Sequence, residues 1–177
     1  MPTVLTHPAV ALALAPFVRG ANARLVAAGA LCTILPDFDT LGRHLGVAAL
    51  EVAHRGPTHS LAFALVAGAA VAWLGRAQWR EVPVRTAFAF LFACTLSHAL
   101  LDMATDGGPG IALLWPLADA ALFFPWRPIE VSPLDAGRFF GPRGLEVLAS
   151  ELKWVWLPGA CVAASAWLVR RKAGARP

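Results

Sequence analysis

Apolar runs separated by short polar, glycine and proline punctuation organise the whole chain. The first extends from Val4 to Val18, broken by His7-Pro8. The second runs from Leu25 to Leu35 after Arg19-Gly20-Ala21-Asn22. A third, Thr58–Leu74, is opened by Gly56-Pro57 with Thr58 in position to cap it, and a fourth, Val84–Asp102, follows the polar linker Arg76–Pro83. The last, Trp154–Val169, stops at Arg170-Arg171-Lys172, a basic boundary of the kind that ends a membrane segment. The pattern predicts helices over residues 4–18, 22–36, 58–75, 84–103 and 152–170. At about 1.5 Å per residue the first two are short against a hydrocarbon core of about 30 Å and suit a tilted or partly embedded hairpin, whereas the third and fourth can span.

Between Thr105 and Ser150 the text changes character, with Gly107-Gly108-Pro109-Gly110, Trp115-Pro116, Phe124-Pro125-Trp126-Arg127-Pro128 and Ser132-Pro133. Each proline removes a helical donor and clashes with the preceding turn, so continuous helix is not expected here. Residues 109–124 are apolar enough to compete as a further span; the proline density favours a loop region with Trp126, Phe139 and Phe140 at the membrane interface. Neither internal repeats nor a second, soluble domain are visible. The expected fold is all-α: a small polytopic membrane helical bundle, one membrane-embedded domain over residues 1–177, with a Pro/Gly-rich loop region before the last helix.

Composition sharpens this. Hydrophobic residues make up 58% of the 177 and charged residues 15%, against about 45–50% and about 25% in ordinary globular chains. A soluble domain of this length leaves too much surface exposed to hide so much apolar area, which excludes a water-soluble monomer and intrinsic disorder alike. Cys32, Cys94 and Cys161 each sit within an apolar run and form no disulfide framework. The formal net charge of +4 comes from basic residues scattered between apolar runs rather than gathered in a stripe, so no nucleic-acid partner is expected. The start, Met-Pro-Thr-Val-Leu-Thr-His, lacks the basic region and cleavage site of a secretory signal, and the first apolar run is expected to stay in the mature protein.

The informative residues are ionisable groups at the ends of apolar helices, where each charge is costly in lipid. His7 opens the first helix; Asp37 and Asp39 close the second; His54 and His59 precede the third; His98 and Asp102 end the fourth. If successive helices run up and down, all of these groups fall on one face. His98 and Asp102, four apart, project from the same side of a helix and can share a metal. Asp37 and Asp39 repel unless a cation or proton lies between them. His54 and His59 bracket a Gly-Pro turn that lets both imidazoles point inward. Nitrogen plus carboxylate oxygen suits zinc, manganese or iron better than calcium. Taken singly, each group has a plainer reading as cap, loop carboxylate or core histidine; their joint placement carries the metal site. His44 has no partner in register and is read as a loop residue.

The segments His7, Leu35-Pro36-Asp37-x-Asp39, His54-Arg55-Gly56-x-Thr58-His59-Ser60, Ser97-His98-x-Leu100-x-Asp102 and Trp115-Pro116 together resemble the YdjM-like family of the inner membrane. That resemblance implies a LexA-regulated, membrane-bound protein with predicted metal-dependent hydrolase activity. It covers most of the chain in order, and the stretch from Phe124 to Pro133, Phe139-Phe140 and Ser150-Glu151-Leu152 is similar to one branch of the family, with a less polar Asp119–Leu122. More remotely, the His/Asp arrangement is similar to the zinc-dependent phospholipase C and single-strand nuclease superfamily, which implies phosphoester chemistry.

These expectations combine into a multi-pass inner (plasma) membrane hydrolase in contact with membrane lipid, acting on a phosphoester or lipid-linked substrate through a metal-activated water. His7, Asp37, Asp39, His54, His59, His98 and Asp102 are the candidate ligands of a divalent metal, zinc first and manganese or iron as alternatives. Asp39 is the candidate base, Arg55 a fixed cation for an anionic group, and Thr58 a substrate contact beside Arg55. Glu151 is a further candidate ligand. The rivals are a non-catalytic membrane protein with a structural or cation-handling metal site, and a metal-free adaptor, which would scatter these polar groups in space. Orientation follows from charge. The site face would carry Arg43, Arg55, Arg127, Arg138, Arg143 and Lys153, and the opposite face Arg19, Arg24, Arg76, Arg80, Arg85, Arg170, Arg171, Lys172 and Arg176. The excess places the opposite face in the cytoplasm.

Overall fold

The computed structural model of the chain describes residues 1–40, 54–133, 136–172 and 174. Turns lead to helix α1 (Pro8–Leu14), which is prolonged by a 3-10 turn over Ala15–Phe17. Asn22 caps α2 (Ala23–Ile34) by accepting from the Leu25 amide at 3.0 Å, and α2 tightens into a 3-10 segment, Leu35–Thr40. A second 3-10 turn, Pro57–His59, introduces α3 (Leu61–Leu74), and α4 (Val84–Met103) follows. After a long non-helical stretch come α5 (Ala136–Phe139) and α6 (Pro142–Glu151); a π-helical turn, Leu152–Trp156, joins α6 to α7 (Leu157–Lys172). The protein is all-α. Among the described residues there is no strand, only isolated bridges between Thr105 and Ile129 and between Ile111 and Leu122.

Three boundaries differ from the sequence-based expectation, each for a local reason. The first helix starts at Pro8 rather than residue 4, because proline fits the first helical position and the preceding residues form hydrogen-bonded turns. The cap of α3 is Ser60 rather than Thr58: the Ser60 hydroxyl accepts from the Phe63 amide at 3.0 Å. The final helix begins at Pro142, ten residues earlier than predicted, and runs without interruption to Lys172. Proline again sits in its first turn, and the next proline is Pro158. Pro158 has no N–H for the Trp154 carbonyl and its ring crowds that oxygen; the wider turn at Leu152–Trp156 makes room for it. Residues 109–124 form no helix, as the proline density implied.

Helix α4 lies at the centre, packed by α1, α2 and α3. Close approach depends on small residues. A Cβ at Gly68 of α3 would stand 2.8 Å from the Phe92 backbone nitrogen, and one at Gly29 of α2 would stand 2.5 Å from the Phe90 ring. Ala64, Ala67 and Ala72 fill the rest of the buried side of α3. Packing through glycine and alanine is how helices associate where no hydrophobic effect separates them from solvent. The outer sides are correspondingly greasy: Val66, Trp73 and Leu74 of α3 and Trp167, Leu168 and Val169 of α7 are exposed. Val84–Met103 and the continuous Pro142–Lys172 are long and apolar enough to cross a membrane.

Candidate metal centre

The start of α1, the end of α2, the approach to α3 and the end of α4 meet at one end of the bundle. His7 occupies the residue before α1, Asp37 and Asp39 lie in the 3-10 segment after α2, and His59 closes the turn before α3. His98 and Asp102 sit one turn apart on α4, both fully buried. Arg55 takes a left-handed backbone conformation, φ 67°, uncommon for a side chain of this size, and so turns the chain between His54 and His59. Three overlapping donor sets result, His7/His98/Asp102, Asp37/His59/His98 and Asp39/His54/His59, with the donor atoms of each within 4.8 Å of one another.

Hydrogen bonds assign the tautomers. His98 Nδ1 lies 2.8 Å from the Thr33 carbonyl, which only accepts, so Nδ1 carries the proton and Nε2 is bare. Thr58 donates its hydroxyl to Asp39 Oδ2 at 2.7 Å, and its oxygen accepts from His59 Nδ1 at 3.0 Å, which leaves His59 Nε2 bare as well. These two bare nitrogens are 3.1 Å apart, and Asp37 Oδ1 lies 3.3 Å from the first and 3.7 Å from the second. Two lone pairs in that position require a proton or a cation between them. One shared proton would leave much unsolved, because both ring nitrogens of His7, both oxygens of Asp37 and Oδ1 of Asp102, whose Oδ2 faces Arg55, are buried without a hydrogen-bond partner. Imidazole nitrogens whose far side is anchored to a carbonyl or carboxylate relay, facing the Asp37 carboxylate, fit a divalent metal.

Burial, reinforced by the neighbouring His98, holds His7 neutral with its pKa well below the usual histidine value. Burial alone would raise the Asp37 carboxyl, but the imidazoles of His59 and His98 outweigh it and keep Asp37 ionised, below the ordinary carboxylate range. The pocket therefore sets a neutral imidazole, His7, near a carboxylate, Asp37, that stays charged. His7 also stacks on His98, ring centroids 4.0 Å apart, which fixes both rings in nearly parallel planes.

Several of the candidate residues are also held by other groups. Asp39 spends Oδ1 on His54 Nδ1 at 2.9 Å and Oδ2 on Thr58, so it orients its neighbours. Thr58, expected at the substrate, is occupied as the link in that relay. Arg55, expected to offer a cation to an anionic group, is turned inward and 3% exposed. It donates to the carbonyls of Gly107, at 3.1 Å, and Pro109 and to Thr105 Oγ1 at 3.3 Å, while Nε pairs with Asp102 Oδ2 at 3.2 Å. Gly108, φ 85°, must lack a side chain there: a Cβ would stand 2.7 Å from Arg55 Nη1. Glu151, a further candidate ligand, instead accepts from the Thr3 amide, from Thr3 Oγ1 at 2.8 Å and from Thr6 Oγ1 at 2.7 Å. It anchors the segment that ends in His7, and Trp156 Nε1 adds a bond to Thr6 at 3.0 Å. His44 lies outside the described residues. Sequence reasoning missed Thr33, whose contribution is a carbonyl, and the Thr3–Thr6–Glu151 lock, for which the buried-carboxylate rule could have sought hydroxyl partners.

Comparison with known proteins gives a consistent result. A family model described as "YdjM inner membrane protein" matches residues 1–174. The inner membrane protein YbcI of Escherichia coli (strain K12) is 42% identical over 174 residues, which is 97% of this chain and 100% of the relative. No solved structure matches.

Proposed function

Because the chain belongs to the YdjM family of inner membrane proteins, we propose that it is a multi-pass, metal-dependent hydrolase of that membrane, acting on a phosphoester or lipid-linked substrate. The observation that carries the reading is the facing pair of bare Nε2 atoms, His59 and His98 at 3.1 Å, bordered by the Asp37 carboxylate, whose oxygens have no hydrogen-bond partner. His59, His98 and Asp37 would hold the metal, with His7 and Asp102 completing the donor set. Imidazole and carboxylate together suit zinc, with manganese or iron as alternatives. When bound, the metal supplies Lewis acidity toward a water and an ester oxygen. Asp39 acts through its neighbours: it orients His54 directly and His59 by way of Thr58. The exposed edge of the cluster is formed by His54 and Asp37, with side chains 20% and 11% exposed, and these two groups meet whatever enters. Arg55 neutralises Asp102 from behind and fastens the following loop to α4.

A structural metal site is the second reading, favoured by how little of His7, His59, His98 and Asp102 reaches the surface. The two readings separate in one experiment. Detergent-purified protein is loaded with zinc or manganese and assayed on bis(p-nitrophenyl) phosphate and on phospholipid in mixed micelles, beside His98→Ala and Asp102→Ala. The hydrolase reading expects metal-dependent turnover that both variants reduce to background, with lower thermal stability because each leaves a buried group unpaired. Metal-dependent stability without turnover supports the structural site. Undiminished turnover in His98→Ala contradicts the assignment.

A further inference from the structure

Between α4 and α5 the chain forms a small lobe over residues 111–122. Reciprocal hydrogen bonds between Ile111 and Leu122, both 2.9 Å, close its neck. The base is fastened to the helix ends: Ala112 N donates to the Arg55 carbonyl at 3.0 Å, Leu61 N to the Leu113 carbonyl at 2.9 Å, and Phe124 N to the Met103 carbonyl at 3.1 Å. Ile111 is fully buried against Ala99 and Met103. Beyond this anchored neck the polarity is the reverse of an ordinary loop. Leu117 is 92% exposed, Leu114, Trp115 and Phe124 are exposed beside it, and Trp126 follows at 64%. Asp119 is the single charged residue from Ile111 to Trp126. Exposed apolar side chains at this density on one loop mark an interaction surface.

We propose that this lobe inserts shallowly into the lipid boundary on the site's side of the membrane, with its apolar tip among the upper acyl chains. Its level is set by its anchors. The neck is bonded to the last turn of α4, a helix able to span, and to the first residue of the shorter α3 beside it, so the lobe lies where α4 meets the membrane surface. Trp115 and Trp126 are the side chains that prefer that boundary. The backbone can tolerate shallow burial because its turns are internally bonded: Trp115 N to the Ala112 carbonyl at 3.1 Å, Leu117 N to the Leu114 carbonyl at 2.8 Å and Ala118 N to the same carbonyl at 3.3 Å. Asp119 limits the depth. Arg55 links the lobe to the metal centre, since its carbonyl holds the neck while its guanidinium pairs with Asp102.

The test places a nitroxide at Leu117→Cys in a Cys161→Ser background, in vesicles of phosphatidylethanolamine and phosphatidylglycerol. Collision with oxygen is compared with collision with a water-soluble nickel chelate. Val66→Cys, on the exposed side of α3, is the lipid reference, and Ala77→Cys, in the exposed polar linker at the other end, is the water reference. The oxygen-to-nickel ratio at Leu117 is expected to be several-fold above that at Ala77 and to approach that at Val66. A ratio equal to Ala77 overturns the proposal. So does shielding from both reagents with spin–spin broadening, which would mean that a second copy covers the tip. Neither outcome depends on the metal or on any substrate.

Discussion

On the proposed reading, Asp39 and Thr58 govern the metal centre without occupying it. The relay from Asp39 Oδ2 through the Thr58 hydroxyl to His59 Nδ1 decides which nitrogen of His59 is bare, and outer partners of this kind typically change metal affinity about 10–100-fold. Thr58→Val keeps the shape and removes the hydroxyl; zinc affinity, measured by competition with a chromogenic chelator, is expected to fall within that range, and Thr58→Ser is expected to restore it. Unchanged affinity in Thr58→Val would exclude the relay. The ligand candidates themselves were legible in the sequence because His7, Asp37, His59, His98 and Asp102 are charged or titratable groups at the ends of apolar runs, and because four-residue spacing on a helix places His98 above Asp102. The inward turn of Arg55 was not legible. It depends on a left-handed backbone at Arg55 and on carbonyls of a loop more than fifty residues later, and neither has a local signature. Thr33 escaped for the same reason, since any residue at that position supplies a carbonyl.

At the level of elements, the first and last segments of the chain act as one unit through Glu151. A buried carboxylate accepting from Thr3 and Thr6 is stabilising only while those donors are present, and hydrogen bonds to a charged group are worth about 1.5–3 kcal/mol each. Glu151→Ala is therefore expected to lower stability by about 2–3 kcal/mol in detergent and to weaken metal retention, because the freed segment carries His7. Its weakening of metal binding should be smaller than that of His7→Ala, measured on the same chelator scale. A Glu151→Ala protein that loses metal as completely as His98→Ala would instead make Glu151 a ligand. Helix α4 matched the predicted residues 84–103 because Pro83 and the glycines after Asp106 bound an uninterrupted apolar run. The last helix did not match. The loop region expected up to Ser150 takes in Pro142, and a proline begins a helix as readily as others prevent one.

For the molecule as a whole, the up-and-down order of helices gathers the metal candidates at one end and the greater number of the basic residues at the other. There Arg76 lies over the Trp73 ring at 4.4 Å and Arg171 over the Trp167 ring at 5.2 Å, as interfacial cation–aromatic pairs do. Arg170 donates to the Pro16 carbonyl at 2.7 Å and ties the end of α7 to the end of the first helical segment. The charge excess at this end predicts that the C-terminus is cytoplasmic and the metal centre faces away from the cytoplasm. C-terminal fusions to phosphatase and fluorescent reporters should give fluorescence without phosphatase activity, and the opposite pattern would reverse the orientation. The claim on which everything else rests is that the joined helix ends hold a transition metal. Elemental analysis of detergent-purified protein tests it directly, with His98→Ala and His44→Ala in parallel. At least one metal per chain is expected in the unaltered protein, with its loss in His98→Ala and its retention in His44→Ala. Metal-free protein that gains no thermal stability on adding zinc or manganese would contradict it.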